Sequence, residues 1–495
     1  MKRGSITVFL ALALGLVVSL LCSGLESVKM AAARTQILNG LDIGLYSLFG
    51  QYEESLLRDF DLFAIDGTAG GKELDLAAVY DNLESYMEPV LGQNSQHLTI
   101  QQGGISGYQL LTDGEGEVFY QQVVQYMKGT LGEHGAQLLL EKMKERQKKT
   151  ADAQEKGKEV ESETTLEKYE KEMENAAKKS EEAMQKEQEQ KDGEVDGFTD
   201  EEKSQASNSS GAGTTVNPIP GIRRIRQRGI LELVVPAEKG LSDGEINKYE
   251  MVTGRVLENG LLLSGSMKRD DAILSQLLYQ QYLMEKLGNY SNPGDGALQY
   301  QIEYILAGKE SDTENLKAMA EKLLLVREGV NAASLAADSG KMAEIRALAA
   351  SIASAFLIPP AAVVIEGALF LCWSFGESLL DVRELFAGGK VSLIKTASDW
   401  QLSLQNLPDL LEHMDSDRKE NDQGVDYEDY LQIFLLGTKK KEQIMRGMDM
   451  IEITVRKKEN WENFQMDHCI TALEASVDIQ ANQRKVFTVT RKYYY

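Results

Sequence analysis

Cysteine, histidine and proline are scarce in this chain: three, four and eight among 495 residues. Three cysteines cannot build a disulfide framework. Cys22 lies in an apolar run, so only Cys372 and Cys469 could pair. Cys372 sits inside Ala368-Leu369-Phe370-Leu371-Cys372-Trp373, where a small buried hydrophobe is the simpler reading. His97, His134, His413 and His468 have no spacing that would bring two onto one helix face, and the adjacent pair His468-Cys469 reads as structural rather than metal-binding or nucleophilic. Basic residues are also in deficit, 53 against 77 acids, and a net charge of −24 opposes a phosphate backbone, so no nucleic-acid partner is expected. Gly308-Lys309 does not form a phosphate loop, because Glu303 stands where the first glycine belongs and Glu310 where Ser or Thr would. Asp415, Asp417, Asp422 and Asp426 suggest a calcium loop, but setting Gly424 at its sixth position puts Lys419 at the first ligand. Capping and solvation explain those acids. With no nucleophile elbow, dinucleotide fingerprint or zinc-protease motif either, no catalytic residue, cofactor or metal is expected, and any small-molecule ligand stays open.

What is present in strength is one long apolar run. Ser5 to Leu25 holds 21 uncharged residues, twelve of them Leu, Ile, Val or Phe. At about 1.5 Å of helical rise each they span roughly 32 Å, the thickness of a bilayer's hydrocarbon core. The run reads as a transmembrane helix. Lys2 and Arg3 would hold residues 1–4 in the cytoplasm and place the bulk of the chain outside the membrane. A cleaved signal peptide is the alternative, with Ala31-Ala32-Ala33 as its site, although its apolar core is usually only about 7 to 15 residues. Small residues at Ala11, Gly15, Ser19 and Gly24 would allow close helix packing within lipid. From Glu26 to Leu57 there is no proline, and Met30, Ala33, Ile37, Leu41, Leu45, Leu48 and Leu56 keep helical spacing, so the helix is expected to continue as an amphipathic stalk, weakened at Gly40 and Gly44.

Arg3-Gly4-Ser5-Ile6-Thr7-Val8, the apolar run and the small-residue-rich extension resemble the N-terminus of the TadE/TadG-like pseudopilins of tight-adherence pilus systems, although Phe9 stands where that family commonly has Glu. Leu57 to Phe63, Ile302 to Lys309 and Val425 to Leu431 resemble an uncharacterised bacterial family often encoded beside tight-adherence pilus genes. The resemblance implies a membrane-anchored structural or assembly protein with pilus or secretion-system partners. An extracytoplasmic enzyme or ligand-binding module is the other class.

The rest of the chain reads as α+β and predominantly helical, in two extracytoplasmic parts: 26–141, and 218–495 beyond a charged helix and disordered linker at 142–217. In the first part, Leu74 to Met87 predicts a helix stopped before Pro89. Leu98 to Gln101 and Tyr108 to Thr112 predict strands split by Gly-rich turns, with helix from Glu115. The second opens on a helix carrying Arg223, Arg224, Arg226 and Arg228, read as a solvated face, then a strand-like Ile230 to Val235. Period-two alternation from Leu298 to Leu306 predicts a strand, and Ser311 with Glu314 a capping box opening a helix toward Ala336. Ala347 to Phe375, broken by Pro359-Pro360, predicts a buried helical hairpin with Glu366 paired or at its rim. Glu377 to Phe386 and Tyr427 to Leu436 read as helices, the latter begun by Asp426. Ile451 to Val455, Cys469 to Ile479 and Val486 to Thr490 predict a small antiparallel sheet near the C-terminus.

Overall fold

The structure, a computed structural model, describes residues 3–92, 98–161 and 217–495, less 262, 264–269, 271, 356–360, 397, 413, 415–423, 460 and 482–484. It begins with one unbroken helix, α1 (Arg3–Phe49). Its first half stands clear of the protein. From Ala33 onward, Ile37, Leu41, Leu45 and Leu48 recur at three- or four-residue steps and are buried, so the stalk expected from the spacing is a packed element. Gly44 does not loosen this helix: a Cβ there would lie 2.6 Å from Met87 Cγ, so the glycine lets a neighbouring helix approach.

That neighbour is α3 (Leu76–Gly92), reached through α2 (Glu54–Phe60) and the two-residue β1 (Ile65–Asp66). Pro89 lies inside α3 rather than after it, in the last turn, so the helix continues for three residues past the proline without its N–H. The two strands expected next are one, β2 (Leu98–Leu110), with register shifts between Ile100 and Gln102, Ile105 and Gly107, and Gln109 and Leu110. Gly103 and Gly104 pair with Val477 and Ser476 instead of turning. Glycine is needed at 103 because a Cβ would meet the Tyr80 hydroxyl at 1.7 Å. Then comes α4 (Asp113–Glu161), kinked at Gly114 to Gly116 and at Gly132.

After residue 217 the chain forms α5 (Ile219–Arg226), α6 (Ile230–Val234), α7 (Ile273–Lys286), α8 (Gln301–Ala307), α9 (Asp312–Ala337), α10 (Ser339–Ala355), α11 (Ala362–Ala387), α12 (Tyr427–Gly437), α13 (Lys440–Lys458), β3 (Cys469–Ala481) and β4 (Lys485–Tyr494). Three expected strands are therefore helices. Ile230 to Val235 is mostly the short α6. In α8, Gln301 and Glu303 are as buried as Ile302 and Tyr304, so the alternation marked internally bonded polar groups and not a wet face. Ile451 to Val455 lies in α13 with all five residues buried, and burial on every side overrides β-branched propensity.

Other readings hold. Ser311 caps α9, accepting from Glu314 N at 3.3 Å, which is one half of the expected box, and Asp426 caps α12 in a full capping box with Asp429. The apolar hairpin is α10 against α11, with Glu366 paired to Arg346 at 2.9 Å; Pro359 and Pro360 lie outside the described residues. Glu377 to Phe386 is not a separate helix but the second half of α11. That helix is apolar enough to cross a bilayer, yet 78% of its most apolar window is buried inside the protein, so it is a core helix. Arg226 of α5 pairs with Glu328 and lies 4.4 Å over the Phe375 ring.

β3 is the centre of the antiparallel sheet, with β2 on one side and β4 on the other; β1 pairs with its first two residues. Leu473, Ala475, Val477, Ile479 and Ala481 face α1 and α3, while the alternate residues of β3 are only half-buried, the period of a one-sided sheet. A second and larger core combines Leu56 to Met127 with Ile219 to Cys469. The parts on either side of 142–217 thus share both cores. Cutting the full chain at a protease site inserted within 191–217 is expected to leave two pieces that co-elute in native buffer and separate only in denaturant. Pieces that part without denaturant would contradict the shared cores.

Candidate functional site

The anchor is the first candidate. Ala11, Gly15, Ser19 and Gly24 are all exposed on α1, and a Cβ built on Gly15 or Gly24 would touch nothing within 4 Å. At ~100° per residue, Ala11, Gly15, Ser19 and Ser23 form one slowly turning stripe, while Gly24 lies a further ~100° round from Ser23. The helix brings the first three together and sets Gly24 apart. Around them Phe9, Leu12, Leu16 and Leu20 are 67–75% exposed, so this half of α1 is an apolar, membrane-length helix with no cover among the described residues.

The stretches Leu57 to Phe63, Ile302 to Lys309 and Val425 to Leu431 meet in the larger core. Tyr427 donates its hydroxyl to Glu303 at 2.8 Å, and Tyr282 donates to the Phe60 carbonyl at 2.7 Å. Glu303 also accepts from Tyr290 N at 2.8 Å, yet its other carboxyl oxygen has no partner among the described residues. Burial pushes its pKa up to about 7, against the pull of those two donors. Burial likewise raises Asp449 to about 6, although it accepts from the Thr253 hydroxyl and the Tyr304 hydroxyl, both at 2.7 Å.

A second buried cluster ties α9 to α11. Arg327 donates to Asp381 from Nε at 3.0 Å and Nη2 at 2.8 Å, and to the Tyr430 hydroxyl at 3.0 Å. Lys395 pairs with Asp381 at 2.5 Å and with Glu377, which also accepts from Leu402 N at 2.7 Å. Burial pushes Asp381 up, but Lys395 and Arg327 outweigh it and hold the carboxyl below the usual range. Glu377 stays above it because burial dominates there. Such a cluster is matched within itself and sealed from solvent. It fixes how the helices register, since removing one partner of a buried pair costs about 3–5 kcal/mol.

His468 and Cys469 are both buried, and Cys469 accompanies Asp66 and Thr68 around a crevice without room for water. Burial drives the thiol well above its ordinary value, the opposite of an activated nucleophile. Cys372 and Cys469 are free thiols, one in α11 and one opening β3. Asp426 serves as a cap, whereas Asp415, Asp417, Asp422, His97 and His413 lie outside the described residues. Among the described residues no group of three His, Cys, Asp or Glu side chains is placed to hold a metal.

Two open clefts were not foreseen. One, of about 320 Å³, is polar and lies between Arg58, Lys286 and Lys458, whose charges are matched by Asp59, Asp61 and Asp295. The other, of about 440 Å³, lies where α4 meets the sheet, and Gln109, Gln125, Lys492 and Tyr494 are among its lining residues. The glutamines of Tyr120-Gln121-Gln122-Val123-Val124-Gln125 were the available signal, hidden because they come together with β4 only in space.

Glu303 offers a direct test. Because its folded pKa of about 7 exceeds the ordinary 4.5, the stability linked to its neutral form is complete below about pH 4.5 and is lost as pH rises through about 7. Glu303→Gln is expected to flatten this fall. The full chain should lose stability between those limits, relative to the variant, by at most on the order of 3 kcal/mol, read as denaturant midpoints across pH. Parallel profiles would place the proton elsewhere.

Comparison with curated proteins and with solved structures returns no match. A family model does match, over residues 207–481, which covers α5 through β3 and so most of the larger core together with the central strand of the sheet. The chain belongs to that family, described as a family of unknown function (DUF5702).

Proposed function

We propose that the protein is a single-pass, membrane-anchored, extracytoplasmic structural or assembly component of a tight-adherence type pilus or secretion system. The observation that carries the reading is α1 itself, one helix whose first half is bare and apolar and whose second half is locked into a core. A rigid connection of this kind transmits force or position from the bilayer to the folded bulk. The pilus setting comes from the pseudopilin-like N-terminus, and the outward orientation from Lys2 and Arg3 ahead of the span. The buried ionisable clusters fit the same role, because their side chains bond one another. An extracytoplasmic ligand-binding module is the second reading, favoured by the cleft of about 440 Å³.

Two measurements test the proposal. Protease added outside intact protoplasts should degrade the bulk beyond about residue 57; a protected C-terminal region would reverse the orientation. Crosslinking in native membranes should recover pilus-assembly proteins, and Gly15→Leu, on the small-residue stripe, should reduce that recovery more than Gly24→Leu while both variants insert and fold. Equal recovery from all three proteins would make the helix a plain tether.

A further inference from the structure

The larger cleft has a composition that selects a ligand. Gln109 from β2 and Gln125 from α4 line it, and neither side-chain amide makes a hydrogen bond among the described residues. Gln122 is committed differently, donating to the Phe63 carbonyl at 2.9 Å and accepting from Phe63 N at 3.0 Å, which fixes the wall. Lys492 makes no ion pair among the described residues, and its Nζ lies 5.9 Å from the centroid of the Tyr494 ring, itself 68% exposed. Val118 and Leu263 supply apolar surface. The volume of about 440 Å³ falls in the range of small-ligand sites, about 300–1,000 Å³.

Each feature narrows the chemistry. An amide offers a donor and an acceptor side by side, which suits neighbouring hydroxyls or an N-acetyl group. An open tyrosine ring suits the C–H face of a sugar, and a lone lysine suits one carboxylate. A phosphate group would want several converging cations or backbone N–H groups, and the cleft has one cation. Ala472 is paired on both sides, to Gln109 and to Tyr494, so the floor offers no free strand edge to a peptide. We propose that this cleft binds a short oligosaccharide carrying N-acetyl and carboxylate groups. Tyr495, also lining the cleft, hydrogen-bonds to the Phe49 carbonyl at the end of α1. With 24 residues from Glu26 to Phe49 at about 1.5 Å each, the site stands roughly 36 Å along the stalk from the apolar run. Access to such a glycan in the cell rests on the outward orientation proposed above, whereas binding by purified protein does not.

The test uses the full chain in detergent and a tetrasaccharide of alternating N-acetylglucosamine and N-acetylmuramic acid, followed by titration calorimetry. Saturable binding is expected, weakened at least about tenfold in Lys492→Ala and in Tyr494→Ala, the loss of one charge-assisted contact or one stacking platform. Lys492→Arg and Thr488→Ala, the latter on β4 but outside the cleft, should bind as the parent does, which separates lost contacts from lost folding. A neutral N-acetylglucosamine tetramer should bind more weakly. The proposal is overturned by absent saturation at millimolar ligand, by binding unchanged in Tyr494→Ala, or by an acidic peptide that binds as tightly as the glycan.

Discussion

The ladder along β3 is the constraint on which the remaining architecture rests. Its residues pair with β2, which lies more than 350 positions earlier, and with β4, so the hydrogen bonds of one strand close the chain on itself. One face of that sheet receives α1 and α3, and its first residue, Cys469, reaches into the larger core. Through β3 the anchor helix and the helical bulk become mechanically continuous. Loop-closure entropy grows only slowly with loop length, so the long intervening sequence adds little to the cost of the pairing.

Buried charge is the second theme. Arg327, Asp381, Lys395 and Glu377 are nearly inaccessible, as are Glu303 and Asp449. Desolvation of such groups costs several kcal/mol each unless geometry returns it. Here the return is ordered contact: Asp381 joins α9, α11 and Lys395, and Glu303 joins α8 to α12 through Tyr427. A helical core built from Leu and Ala alone could slide by a turn. These pairs select one register, and a rigid body on a stalk needs one.

Function follows the surfaces that this rigidity leaves open. The bare half of α1 and the amide-lined cleft beside β4 lie at opposite ends of one continuous helix. The cluster of Arg327, Asp381, Lys395 and Glu377 is matched within itself and buried.

Features set by local physics were legible from the sequence. A run of 21 uncharged residues declares a membrane-length helix whatever surrounds it, and the Ser311 and Asp426 caps are bonds over three residues. The alternation in β3 was readable because one of its faces is less buried than the other. Tertiary structure alone decided the rest. In Ile451 to Val455 and Gln301 to Ile305, burial on all sides erased the relation between polarity and exposure on which period reading depends, and β-branched or alternating patterns folded as helix. Gly103 sits in a strand because of a tyrosine hydroxyl 23 positions away. The cleft combines Gln109, Gln125 and Lys492 from three distant segments. Contacts between residues hundreds of positions apart leave no local pattern, so only the folded chain could reveal them.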